Sequence, residues 1–180
     1  MQMRNIEIKA RIGDIESAKR TAGSLCGGGP AALLHQVDTY FEVPAGRLKM
    51  REFDDCNTQS ELIYYERSNV SGPRSSDYLI ELISDSQGLK SVLEAALGVT
   101  VVVRKTRTLY LYENTRIHLD EVDGLGTFIE FEYVMPEEGS SADGEQTVRR
   151  LMRCFSIGEA DLLEGSYSDM MMSGNPDGSA

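Results

Sequence analysis

Charged side chains recur at every second position in several segments of this sequence. In the segment 47–51, Arg47, Lys49 and Arg51 alternate with the apolar Leu48 and Met50. A period of two places such residues on one face of a β-strand. The same alternation produces further cationic, mixed and anionic faces: Lys105 and Arg107; Arg116, His118 and Asp120; Glu130 and Glu132.

The segregation of charge by sign makes these faces unusual. One interpretation is that they are solvated outer faces of a sheet, as most charged strand faces are. Solvated surfaces, however, normally intersperse both signs of charge. In the second interpretation, eight strands close into a barrel and the charged faces line its interior, which has room for side chains and one small ligand.

A barrel interior with this charge pattern requires a ligand. Clustered cations and clustered carboxylates are both costly to bury without partners. A polyanion neutralises the Lys and Arg side chains. A hard divalent cation such as Mg²⁺ or Mn²⁺ neutralises the carboxylates, because these metals prefer oxygen ligands. The charge pattern therefore predicts a metal-bound triphosphate as the ligand.

The elements that must position these side chains follow from the same periodicities. Apolar residues at helical spacing predict helices after Asp14, over 85–97 and after Asp143, with a short helical or irregular segment over 159–172. The eight predicted strands cover 3–12, 34–43, 47–54, 59–68, 77–83, 100–112, 114–122 and 126–134. Short connections favour antiparallel pairing. We expect residues 1–172 to form a single domain and the Gly/Ser/Pro/Asp-rich segment 173–180 to be a disordered tail.

The composition excludes several classes of protein. The 180 residues carry a formal net charge of −11, which argues against a nucleic-acid partner. No apolar run approaches the ~20 residues of a membrane span, and residues 1–5 lack the apolar stretch of a signal peptide, so a cytoplasmic location without a membrane partner is expected. The cysteines Cys26, Cys56 and Cys154 show no metal-site spacing and indicate reduced thiols. The two commonest nucleotide-binding loops, GxxxxGK[ST] and GxGxxG, are absent.

Seven segments, in a fixed order along the chain, match the motifs of one known family. The first, Asn5-Ile6-Glu7-Ile8-Lys9, resembles an E-x-E-x-K signature. The others are the segments 36–40, 48–52, 104–107, 118–120, 124–132 and 165–169. Together they resemble the CYTH superfamily, the triphosphate tunnel metalloenzymes, which include class IV adenylyl cyclases, thiamine triphosphatases and inorganic triphosphatases. The last four segments are most similar to the class IV cyclase branch.

The resemblance implies both a fold and a site. The implied fold is α+β but dominated by antiparallel β-structure: an eight-stranded closed β-barrel, or triphosphate tunnel, with helices packed outside. The implied phosphate-binding residues are Lys9, Arg47, Lys49, Arg51, Arg67, Lys105, Arg107 and Arg116. The implied ligands of Mg²⁺ or Mn²⁺ are Glu7, Asp120, Glu130 and Glu132, and the implied catalytic residues are Glu7, Lys9 and Asp120.

One departure from the family pattern affects the expected activity. Asn5 stands where the signature has its first Glu, and this removes one negative charge from the metal site. The activity favoured by the resemblance is conversion of ATP to cyclic AMP and pyrophosphate. The alternatives are hydrolysis of an organic or inorganic triphosphate and, because of Asn5, non-catalytic binding of a triphosphate or polyphosphate. The expected partner is a small-molecule triphosphate, and a homodimer is left open.

Overall fold

The chain folds into a closed barrel of eight antiparallel strands. The computed structural model describes residues 2–55, 58–66, 74–136 and 141–174. The strands are β1 (Gln2–Arg11), β2 (Ala32–Phe41), β3 (Arg47–Phe53), β4 (Ser60–Glu66), β5 (Arg74–Ile83), β6 (Val99–Tyr112), β7 (Thr115–Val122) and β8 (Gly126–Val134). They pair in the order β1-β5-β4-β3-β2-β6-β7-β8, and β1 also pairs with β8 to complete the ring.

Helices connect or cover parts of this barrel. They are α1 (Ile15–Cys26), α2 (Ser86–Leu97), α3 (Ser141–Cys154) and α4 (Tyr167–Ser173), and a 3₁₀ turn covers Glu159–Asp161. Helix α1 begins after Asp14 because the side chain of Asp14 accepts a hydrogen bond from the backbone N–H of Ser17. It ends at Gly27, whose φ of 70° is favourable for glycine.

The fold class predicted from the sequence is confirmed, with small differences in the element bounds. Strand β2 begins at Ala32 rather than at residue 34, and α3 begins at Ser141 rather than after Asp143. Ser173, assigned to the tail by its composition, is the last residue of α4. Residues 67–68 of the predicted fourth strand, and 175–180 of the predicted tail, lie outside the described residues. Within the described part of the chain, no helix is long and apolar enough to cross a membrane.

The main hydrophobic core lies outside the barrel wall, between the strands and helices α1 and α3. Strands β1 and β8 contribute Ile8, Ile129 and Phe131, which pack with Ala22 of α1 and Leu151 of α3. These strand residues alternate with the charged residues that the sequence analysis singled out. Burial of the apolar faces under helices therefore turns the charged faces towards the barrel axis.

A second, smaller core closes one end of the barrel. It consists of Tyr40, Val103, Val122 and Phe128 from the strands and Leu163, Tyr167 and Met170 from the C-terminal segment. The aromatic rings of Phe128 and Tyr167 lie 5.0 Å apart between centroids. We call these seven residues the end plug. The end plug covers the end of the barrel at which β2 ends and β8 begins.

Candidate functional site

A cavity of about 430 Å³ occupies the barrel between the end plug and the opposite mouth. Charged side chains from β1, β3, β4, β6, β7 and β8 line it. The cations are Lys9, Lys49, Arg51, Lys105, Arg107 and Arg116, and the carboxylates are Glu7, Glu61, Glu130 and Glu132. The structure therefore brings together in one cavity six of the eight predicted phosphate-binding residues and three of the four predicted metal ligands.

Asp38 on β2 accepts hydrogen bonds from three of these cations. Its Oδ2 accepts hydrogen bonds from Lys49 Nζ at 2.9 Å and Lys105 Nζ at 3.0 Å. Arg51 donates to both carboxylate oxygens of Asp38, from Nε to Oδ1 at 2.7 Å and from Nη2 to Oδ2 at 2.9 Å. Burial alone would raise the pKa of Asp38, but the charges of Arg51, Lys105 and Lys49 outweigh it and hold that pKa well below its usual range. Asp38 thus holds three cations together as an ionised carboxylate.

Asp120 on β7 binds Arg107 in a similar way. Arg107 donates from Nε and Nη2 to the two oxygens of Asp120, both at 2.7 Å. The hydroxyl of Tyr167 donates to Asp120 Oδ2 at 2.8 Å. Burial opposes ionisation, but the Arg107 charge lowers the pKa of Asp120 to about 2. Asp120 shares the inward face of β7 with Arg116 and His118 but is fully buried and does not line the cavity. Its predicted roles as a metal ligand and as a catalytic residue stay predictions.

Lys9 and Glu130 form a third charged unit, between β1 and β8. Lys9 Nζ lies 2.9 Å from Glu130 Oε2 and 3.5 Å from the centroid of the Tyr167 ring. His118 Nδ1 lies 3.2 Å from the other oxygen of Glu130. Burial, with the nearby Arg107 charge, lowers the pKa of His118, so the imidazole is neutral at pH 7 and donates to Glu130 from Nδ1.

Asn5, Glu7 and Glu132 occupy the neighbouring positions of the same two strands. Glu7 and Glu132 stand directly opposite each other in the pairing of β1 with β8. The amide of Asn5 donates from Nδ2 to Glu132 Oε1 and accepts from the hydroxyl of Tyr78 at 3.4 Å. Arg116 Nη1 donates to Glu132 Oε2 at 3.3 Å. Asn5 is therefore a buried hydrogen-bonding partner of a carboxylate, where the family signature places a carboxylate.

The donor set of this region fits a hard divalent cation. Glu7, Glu130 and Glu132 present only carboxylate oxygens to the cavity, and Mg²⁺ and Mn²⁺ prefer such ligands. Among the described residues, no three His, Cys, Asp or Glu side chains are arranged as a ready metal cage. Since Mg²⁺ is usually held by one or two carboxylates together with substrate phosphates, a site completed by the ligand agrees with both observations.

Lys105 is the cation most affected by this crowding. It is buried, and it shares the cavity with Arg51, Arg107 and Lys49. Burial and these like charges outweigh the attraction of Asp38 and lower the pKa of Lys105 to about 7. A bound polyanion would add negative charge beside Lys105 and would therefore favour its protonated form.

The other two predicted phosphate-binding residues are Arg47 and Arg67. Arg47 does not line the cavity; its Nη2 lies 2.8 Å from Asp169 Oδ2, and this ion pair ties β3 to helix α4. Arg67 lies outside the described residues. In the present structure Arg47 thus anchors the C-terminal segment of the end plug.

No role was predicted from the sequence for Asp38 or Tyr167, although both contact charged residues of the site. The alternation that singled out the cations also applies to β2, where Gln36, Asp38 and Tyr40 share a face. An acidic residue on an inward face was therefore a usable indication for Asp38. Tyr167 lies within the motif segment 165–169, but its contact with Asp120 could not be predicted, because the two residues lie 47 positions apart in the chain.

Comparison with known proteins agrees with this fold. The family model described as "CYTH domain" matches residues 3–167. Among curated proteins, none matches the chain.

Three solved structures illustrate the shared fold. The PH1012 protein from Pyrococcus horikoshii is 26% identical, with a TM-score of 0.79, and the match covers 91% of this chain and 97% of that one. An adenylate cyclase candidate from Vibrio parahaemolyticus is 19% identical, with a TM-score of 0.74 and coverage of 94% and 98%. HpAC1 from Hippeastrum, described as an adenylyl cyclase candidate with a dominant triphosphatase activity, is 15% identical, with a TM-score of 0.66 and 97% of both chains covered. At these identities, the last two matches establish the fold alone.

Proposed function

The chain belongs to the CYTH domain family, and from that premise we propose that it is a metal-dependent enzyme that acts on a triphosphate held inside the barrel. The observation that carries this proposal is the accumulation of six Lys and Arg side chains around one cavity inside the barrel in a chain whose net charge is −11. Asp38, Asp120 and Glu130 pair with some of these cations in the free protein, and the cluster presents several charged donors at once to the oxygens of a triphosphate.

The arginines and the lysines would contact the phosphates in different ways. Arg51 and Arg107 present planar forks that suit bidentate contacts to phosphate oxygens, while Lys9, Lys49 and Lys105 supply compact charges. Asp38 and Asp120 hold the guanidinium groups of Arg51 and Arg107 in place by accepting hydrogen bonds from them. Phosphoryl transfer depends mainly on positioning and on neutralising the charge that develops in the transition state, and these residues supply both.

Glu7, Glu130 and Glu132 would hold Mg²⁺ or Mn²⁺ at the β1–β8 side of the cavity. When bound, the metal supplies Lewis acidity toward the phosphoryl group. Lys9 stands beside Glu130 at 2.9 Å, so it neutralises this carboxylate and remains within reach of phosphate oxygens in the cavity. Asn5 makes the region one charge less negative than the family signature would.

We favour cyclisation of ATP over hydrolysis, because the motifs in the second half of the chain are most similar to the class IV cyclase branch. In cyclisation, the 3′-hydroxyl oxygen bonds to the α-phosphorus, the bond to pyrophosphate breaks and the hydroxyl proton is released. A triphosphatase would use the same cations with water as the nucleophile. Asn5 is the specific observation that keeps a non-catalytic binding module as a third candidate.

Product analysis separates the three candidates. The purified protein is incubated with ATP, thiamine triphosphate or tripolyphosphate, each with Mg²⁺ or Mn²⁺. Cyclic AMP with pyrophosphate is the expected result, whereas orthophosphate would identify a triphosphatase. Tight binding without turnover, not improved in the Asn5→Glu variant, would identify a binding module. Absence of binding to all three compounds would contradict the proposal as a whole.

Triphosphate binding is expected to be linked to protonation of Lys105. In the free protein its pKa is about 7, so Lys105 is charged below that pH and neutral above it. A polyanion favours the charged form. Binding at pH 8 should therefore take up about one proton, and affinity should fall as pH rises above 7, by up to about tenfold per unit. Calorimetry in buffers of different ionisation enthalpy measures the uptake.

The matched control for this prediction is Lys105→Arg, which stays charged throughout this range. Any protons taken up by the phosphates themselves are common to both proteins and cancel in the comparison. Equal proton uptake by the wild type and the variant would show that Lys105 is already charged at pH 8 in the free protein.

A further inference from the structure

Arg116 and Glu132 form an ion pair in the wall of the cavity. The two residues stand directly opposite each other in the pairing of β7 with β8, and Arg116 Nη1 donates to Glu132 Oε2 at 3.3 Å. The other carboxylate oxygen of Glu132 accepts a hydrogen bond from the amide of Asn5. Both oxygens of this predicted metal ligand are therefore engaged by donors of the protein itself.

Glu130, the neighbouring predicted ligand, is engaged in the same way. Lys9 Nζ lies 2.9 Å from its Oε2, and His118 Nδ1 lies 3.2 Å from its Oε1. A divalent cation at these two carboxylates competes with donors that already hold them. The Lys9 side chain is 5% exposed and lies over the Tyr167 ring, whereas the Arg116 side chain is 39% exposed. Arg116 can therefore leave its carboxylate at the lower cost, because its guanidinium keeps contact with water.

The balance of charge around Glu132 couples the metal to the anion. A metal bound to Glu132 beside Arg116 would place two cationic groups on one carboxylate, and these repel each other. Displacing Arg116 removes the repulsion but leaves its guanidinium in the cavity without a counter-charge. A triphosphate oxygen supplies that counter-charge, and Arg116 already lines the cavity. Metal and triphosphate together thus satisfy both Arg116 and Glu132, whereas either one alone leaves one of them without a partner.

We propose that Arg116 is an exchangeable counter-ion of the metal site. It neutralises Glu132 while no metal is bound, and it binds a phosphate oxygen when metal and triphosphate bind together. Arg116 thereby makes the affinity for the metal depend on the triphosphate, and by linkage the affinity for the triphosphate depends equally on the metal. This inference rests on the proposed function and adds a regulation to it, because the protein then disfavours a metal without its substrate.

The test measures Mn²⁺ binding without any phosphate compound, from the loss of the electron paramagnetic resonance signal of free Mn²⁺. Arg116→Gln removes the competing charge and should bind Mn²⁺ about 10-fold more tightly than the wild type, the lower end of what one hydrogen bond to a charged group contributes. Arg116→Lys keeps the positive charge and should bind Mn²⁺ like the wild type. Lys49→Gln removes a cavity charge that pairs with Asp38 instead, and its gain should not exceed about threefold.

Two further measurements assign the gain to the ion pair. In the Glu132→Gln background Arg116 has no carboxylate to neutralise at this position, so adding Arg116→Gln should change Mn²⁺ affinity by less than about twofold. Calorimetric titration with tripolyphosphate, with and without Mn²⁺, gives the factor by which the metal strengthens anion binding. That factor should be about 10-fold smaller in Arg116→Gln than in the wild type. Complexes of Mn²⁺ with tripolyphosphate in solution are common to both proteins and cancel in the comparison.

Each other outcome has a definite meaning. Unchanged Mn²⁺ binding in Arg116→Gln would overturn the exchange, and so would an equal gain in Arg116→Lys. An equal gain in Lys49→Gln would show an effect of total cavity charge alone, and a gain that persists in the Glu132→Gln background would separate Arg116 from Glu132; both would overturn it. In all these cases, binding of tripolyphosphate by the wild type would leave the proposed function standing. If the wild type bound no triphosphate with or without Mn²⁺, the proposed function itself would fail.

Discussion

Replacing Arg51 with alanine is expected to weaken tripolyphosphate binding by about 100-fold and to lower turnover of any triphosphate to a similar extent. Arg51 offers two donors in one plane, and hydrogen bonds to charged groups contribute about 1.5–3 kcal/mol each. Its side chain lines the cavity, and its fork is held by two contacts of 2.7 and 2.9 Å to Asp38. Calorimetric titration with tripolyphosphate, and initial rates with the accepted substrate, measure the two effects.

Two further variants distinguish geometry from charge. Arg51→Lys keeps the charge but loses the fork, so a loss between those of the wild type and Arg51→Ala is expected. Arg20→Ala removes the same charge from an exposed position on α1, where the side chain is 71% exposed, and should leave binding unchanged. Arg51→Ala and Arg20→Ala with equally small effects would mean that only the overall charge matters and that the barrel interior is not the binding site.

Asp38→Asn is expected to reduce the free energy of unfolding of the ligand-free protein by about 3–5 kcal/mol, as for other buried ion pairs that lose one partner. The substitution leaves Arg51, Lys49 and Lys105 close together without the carboxylate that they share. Tripolyphosphate replaces the missing negative charge, so it should stabilise the variant more than the wild type. Chemical denaturation with and without tripolyphosphate measures both quantities.

A matched control variant is available for the Asp38→Asn prediction. Asp123→Asn makes the identical chemical change at an exposed turn between β7 and β8, and it should alter stability little. If Asp38→Asn unfolded at the same denaturant concentration as the wild type, the three cations would not depend on Asp38. If it were destabilised but gained no more from tripolyphosphate than the wild type does, the anion would not bind at this cluster.

The strands were predictable because the period-two alternation indicates both the strand itself and the face that each side chain occupies. Ile6, Ile8 and Ala10 on β1 had to be buried under helices, and this burial alone turned Glu7 and Lys9 towards the barrel axis. The same holds for Ile129 and Phe131 against Glu130 on β8. A one-residue shift would have reversed both faces, so the hydrophobic pattern determined which charges face inward.

The partners of those charges were less predictable, because they come from strands and helices distant in the sequence. Asp38 meets Lys105 across 67 positions, and Arg47 turns away from the cavity to Asp169 across 122 positions. Alternation states which face a side chain occupies but not its depth along the barrel. Arg47 and Lys49 share a face, yet only Lys49 lines the cavity.

The strands, the sign of charge on most inward faces and the family of the fold could be predicted from the sequence, because they depend on local periodicity and on motifs read in order. Which charges are neutralised in the free protein depends on the tertiary structure. It paired Arg107 with Asp120, placed Asp38 among three cations, left Gln36 Oε1 without a donor from the described residues, and closed one end of the barrel with Tyr167. Those contacts depend on distances between strands of a closed sheet. The distances are set by the register of all the strands together with the closure of the barrel, so they cannot be predicted from any single segment of the sequence.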